Sequence, residues 1–113
     1  MESIIWVKYT QEGFHFWEDA PDDVAYLKNE HRHLFNFKVS FKVTHDERDL
    51  EFHQVMRKCK KISEELLRVA RINGGSCETI AREFYNYLYK LNKLPVVSVE
   101  VSEDGECGAL ICA

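Results

Sequence analysis

Residues 31–44, HRHLFNFKVSFKVT, alternate without a break, and no other feature of the chain restricts its fold as much. His31, His33, Phe35, Phe37, Val39, Phe41 and Val43 share one side, while Leu34, Asn36, Lys38, Ser40, Lys42 and Thr44 share the other. Only a β-strand turns a period of two into one apolar face, so the chain must contain a sheet with that face packed. Residues 3–9 (SIIWVKY) and 13–17 (GFHFW) are also rich in β-branched and aromatic side chains. They predict one interrupted strand or a hairpin, with Gln11, Glu12 and Gly13 as a bend or bulge. Residues 18–30 are polar, contain Pro21 and read as a loop with room for a short helical turn.

After the turn residues His45–Arg48, Asp49 to Phe52 predict a short strand or lead-in. The period then becomes helical, with Phe52, Val55, Met56, Cys59, Ile62, Leu66 and Val69 at steps of three and four. This helix should end near Ile72, at Asn73-Gly74-Gly75. Ser76 is a suitable N-cap for a second helix whose stripe is Cys77, Ile80, Ala81, Phe84, Leu88 and Leu91, closed by Pro95. Val96–Val101 and Cys107–Cys112 predict two strands around a Glu103-Asp104-Gly105 turn. The order ββααββ implies an α+β fold, an antiparallel β-sheet with two consecutive helices on one face.

With 113 residues, 45% of them hydrophobic and 30% charged, the chain suits one globular domain spanning residues 1–113. Its net charge of −4 argues against nucleic acid as a partner, and Arg57, Lys58, Lys60 and Lys61 read as a solvated helix face. The N-terminal residues carry no basic region before an apolar run, and no apolar stretch approaches the ~18 residues of a membrane span. A cytoplasmic protein is expected. Cys59, Cys77, Cys107 and Cys112 form no CxxC pair and are expected to be reduced and mostly buried.

On a strand, His31 and His33 project from one face a single pleat apart, a spacing suited to two ligands of one metal ion. Zinc accepts imidazole nitrogen, and its catalytic sites use three protein ligands and an open position. His15, on the strand expected to pair with the second, is the leading third ligand, with Glu18 in reserve. By itself an HxH is more often a pair of strand-surface histidines, with His15 a third. His45, in a charged turn, and His53, at a helix start, read as exposed.

Taken in order, His15, the HRH segment, Asp49-Leu50-Glu51-Phe52, Ser76-Cys77-Glu78 and Val99–Glu103 resemble the 6-pyruvoyl and 6-carboxy tetrahydropterin synthases, which have the tunnelling fold. The resemblance spans nearly the whole chain. It implies Zn2+ on His15, His31 and His33, a pterin-like heterocycle anchored by Glu103, and further substrate contacts from Ser76 and Glu78. It also implies a homo-oligomer, a trimer or a hexamer, with strands joined between subunits.

Two family elements are missing. Leu27 stands where the proton-transferring cysteine is expected, and Ser63–Gly75 contains no histidine to supply the Asp-His pair. Cys77, His53, Glu18 or a zinc-bound hydroxide could substitute, and Cys77 is the most attractive base, because a helix N-terminus lowers a thiol pKa. The expected function is a zinc-dependent lyase-like activity on a pterin, a deazapurine precursor or a related heterocycle. The alternative is a catalytically inactive binding or structural protein on the same fold.

Overall fold

In the computed structural model, which describes Met1–Ala113, the alternating segment becomes β2 (His31–Val43). It pairs with β1 (Ser3–His15) on one side and β3 (Val96–Glu103) on the other, and β4 (Cys107–Cys112) completes an antiparallel sheet ordered β1-β2-β3-β4. Between β2 and β3 come α1 (Phe52–Asn73) and α2 (Cys77–Asn86), the latter running into a wider π-type turn over Tyr87–Leu91. The ββααββ order and the α+β architecture are those expected.

One face of the sheet carries the core. Val7 and Tyr9 of β1, Phe35, Phe37, Val39 and Phe41 of β2, and Val99 and Val101 of β3 are all buried there. Facing them are Val55, Cys59, Leu66, Leu67 and Ala70 of α1 and Ile80, Ala81 and Phe84 of α2. Each fully buried Phe, Ile or Leu removes enough apolar area from water to contribute ~1.5–3 kcal/mol, so the helices are held on by this layer. Tyr9 and Ser63 add a buried hydroxyl–hydroxyl bond of 2.7 Å between β1 and α1. The opposite face is open, with Ile4, Trp6, Leu34 and Leu110 exposed.

Two local expectations need correction. β1 is one continuous strand in unbroken register with β2 from Ser3↔Val43 to His15↔His31, with neither bend nor bulge at Gln11–Gly13. Gly13 stays in the strand, where its missing side chain makes room for the Phe35 ring. Of the two readings of Asp49–Phe52, the strand is not formed and the lead-in to α1 is. Glu51 caps α1, its carboxylate accepting from the backbone N–H of His53 (2.8 Å) and Gln54 (3.1 Å). The loop before β2 holds a short 3-10 segment, Asp22–Lys28. All four cysteines are free thiols, but only Cys59 and Cys77 are buried. No helix is long and apolar enough to cross a membrane.

Candidate metal centre

The register that fixes the core also assembles a histidine cluster at one end of the sheet. His15, the last residue of β1, lies directly opposite His31, the first of β2, and Gly13 lies opposite His33. Odd-numbered residues of both strands face the helices, so the three imidazoles meet on that side. Their metal-binding nitrogens lie within 4.8 Å of one another. Ring centroids are 4.5 Å apart for His15 and His31, 5.1 Å for His15 and His33, and 5.0 Å for His31 and His33. Phe35 closes the floor, edge-on to His15 at 5.3 Å and to His33 at 5.6 Å.

Each ring is tied at Nδ1 to an acceptor. His15 donates to the carbonyl of Gly75 (2.7 Å), His31 to the carbonyl of Asn29 (2.8 Å) and His33 to the Asp104 carboxylate (2.8 Å). With the proton on Nδ1, a neutral imidazole presents its Nε2 lone pair, the form a metal ion binds. Burial lowers the His15 pKa and so favours that neutral form. Nε2 of His15 and of His33 are buried and make no hydrogen bond. Orphaned, converging nitrogens with orienting partners behind them are what a bound zinc ion requires of its ligands, so this donor set fits the metal that the sequence suggested.

Among the predicted site residues, the structure brings together His15, His31, His33 and Glu103. Glu103 is the last residue of β3, opposite Phe35, rather than part of the turn. Its Oε1 lies 3.3 Å from His15 Nε2 and its Oε2 3.5 Å from His33 Nε2. Beside the cluster is a cleft of about 640 Å³ lined by His15, His31, Ser76, Cys77, Glu78 and Glu103, with Leu27 and Glu18 also at its walls. Ser76 caps α2, its hydroxyl oxygen accepting from the N–H of Thr79 (3.1 Å). Glu18 and Glu78 are exposed.

Cys77 departs from expectation. It is buried, its Sγ is 3.9 Å from Glu103 Oε1, and burial together with that carboxylate pushes the thiol pKa up to about 12. Desolvation outweighs the helix N-terminus here, so the thiol stays protonated at neutral pH. His53 is exposed at the first turn of α1, whereas the cluster lies beside the loop after its last turn. A helix of this length spans ~33 Å, so His53 is no substitute base within the same chain.

The sequence reading missed the three Nδ1 partners. Asn29 and Gly75 act through backbone carbonyls, which no residue type betrays. Asp104 was visible only as half of an Asp-Gly turn, and its side chain also accepts from the N–H of Leu34 (2.8 Å). That link follows from the β2–β3 register, which one sequence does not reveal.

No protein-family model matches the sequence, and no curated protein sequence matches it. The structure is similar to that of Caenorhabditis elegans 6-pyruvoyl tetrahydropterin synthase, with a TM-score of 0.62 over 98% of this chain and 96% of that one, at 15% sequence identity. The likeness is one of fold, and it identifies the α+β architecture as the tunnelling fold.

Proposed function

We propose that the chain is a zinc-binding, 6-pyruvoyl/6-carboxy tetrahydropterin synthase-like protein that takes a pterin, a deazapurine precursor or a related heterocycle into the cleft beside His15 and His31. The observation that carries this reading is the set of three imidazoles, each fixed at Nδ1 and offering Nε2 to a shared centre. His15, His31 and His33 would hold the ion, which when bound supplies a Lewis acid able to polarise a carbonyl or imine. Ser76 and Glu78, at the start of α2, offer polar contacts along the cleft wall. A carboxylate suits the N–H and NH2 groups of a 2-amino-4-oxo ring, because it accepts two parallel hydrogen bonds.

Zinc content decides the metal. His31→Ala and His33→Ala should each remove most of it without unfolding the sheet, whose apolar layer does not depend on either ring. Full occupancy in the double variant would refute the site. His15→Ala should behave alike, while Glu18→Ala should keep its zinc.

A second reading, binding without turnover, is favoured by the cleft wall itself. Leu27 is apolar where a base is needed, and the Cys77 thiol is held neutral. Proton abstraction next to a carbonyl needs a base within ~2.6–3.2 Å of the proton. Tight binding of a pterin or deazapurine, with no product detectable by mass spectrometry, would establish this second reading.

A further inference from the structure

We infer that Glu103 is the fourth ligand of the metal, closing the site as a three-histidine, one-carboxylate set; this rests on the zinc reading above. Nδ1 of His15 is engaged by Gly75 and Nδ1 of His33 by Asp104, which leaves Nε2 of both rings turned towards Glu103. The two carboxylate oxygens stand against them at 3.3 and 3.5 Å. His15 is only 6% exposed, so little water reaches it. A charge-assisted N–H···O bond would be shorter, about 2.7–2.9 Å, and neither Nε2 makes any hydrogen bond. A cation between the groups would give both nitrogens and the carboxylate a partner. Donors bound at ~2.0–2.1 Å around a tetrahedral zinc ion stand ~3.4 Å from one another, close to both observed separations.

The chain holds this carboxylate in place from two sides. Glu103 ends β3 on the face that carries the histidines, and the Cys77 thiol donates to its Oε1 from the start of α2. Asp104, the next residue, grips the far nitrogen of the same His33. Two consecutive carboxylates therefore address the two nitrogens of one ring, one orienting it and the other sharing its ion. With Glu103 engaged, no coordination position remains for water or substrate, so the closed site takes the Lewis-acid role away, agrees with the reading of binding without turnover, and leaves ring recognition in the cleft to Ser76 and Glu78.

The test uses cobalt(II), whose visible spectrum reports added ligands, with azide as the probe and chelator competition for zinc affinity. Wild-type protein should leave its spectrum unchanged by azide, whereas Glu103→Ala should take azide up. Partners one shell further out are worth ~10–100-fold in metal affinity, so losing a direct ligand should cost at least tenfold. Glu103→Gln preserves size and decides the matter if the alanine variant fails to fold. Zinc affinity and azide response equal to wild type in the variants would overturn the role of Glu103 while leaving the three-histidine site intact. A wild-type protein that binds neither zinc nor cobalt would instead remove the metal reading itself.

Discussion

A methyl group added at Gly13 would lie 2.8 and 2.9 Å from two carbons of the Phe35 ring and 3.0 Å from Leu67 Cδ2. Phe35 is fully buried and braces both His15 and His33, so it cannot yield without disturbing them. Gly13→Ala should destabilise the protein by ~1–3 kcal/mol, the usual cost of overpacking, as read from denaturant midpoints. Asp104 acts on the same cluster through charge and orientation. It sits at φ 57° beside Gly105 at φ 72°, the positive backbone angles that a tight Asp-Gly hairpin turn needs. Asp104→Gly keeps that geometry while deleting the carboxylate, so zinc affinity should fall ~10–100-fold with the fold intact. Asp104→Asn, whose amide oxygen still accepts from Nδ1, should lie between. Equal zinc affinity in wild type and the glycine variant would show that His33 needs no such partner.

Among the elements, α1 offers the clearest pH dependence. The hydrogen bonds that Glu51 accepts at its N-terminus hold that carboxyl below the ordinary glutamate range. The unfolded chain therefore binds the proton more readily than the folded one. This contribution is complete above the ordinary glutamate pKa and is lost as pH falls through the lower folded value. Urea midpoints measured from about pH 6 to about pH 3 should fall less steeply for Glu51→Gln than for wild type. Identical slopes would mean that the cap is not formed in solution. The elements also show what one sequence can carry. β2 was legible because its alternation is its packing, and α1 because its stripe faces that same layer. β1 was misread at Gln11–Gly13 because two polar residues followed by a glycine interrupt the apolar and β-branched pattern locally. What keeps them extended is tertiary: the Gln11 amide donates to the Lys60 carbonyl of α1, and Gly13 lies under Phe35. For the site, strand spacing gave His31 and His33, and the pairing of β1 with β2 gave His15. The place of Glu103 against them required three strands in register, which no local pattern encodes.

As a whole, the molecule measures 51 × 24 × 22 Å and leaves its sheet unfinished, with β1 and β4 as free edges and an open face bearing Trp6, Leu34 and Leu110. Such edges pair readily with other strands, and a closed ring of identical subunits satisfies every one of them. The edges set no number; the resemblance to the tetrahydropterin synthases implies one, and on it we expect a homotrimer, or a hexamer of two such rings, by light scattering. A monomer at micromolar concentration that still binds its heterocycle at full affinity would rule this out. The anchors of the three imidazoles have a separate consequence for the chain as a polymer. They come from the stretch before β2, the junction of the two helices and the tip of the last hairpin, so strands from opposite ends of the sequence are gathered at one point. An ion held there binds only the folded chain, because the unfolded chain does not bring these side chains together. Its binding free energy is therefore folding free energy, and stability should rise with the concentration of free metal. Stripping the ion would be felt less as a change of shape than as a lower melting temperature, with loosening first at the end of the sheet where the three rings meet.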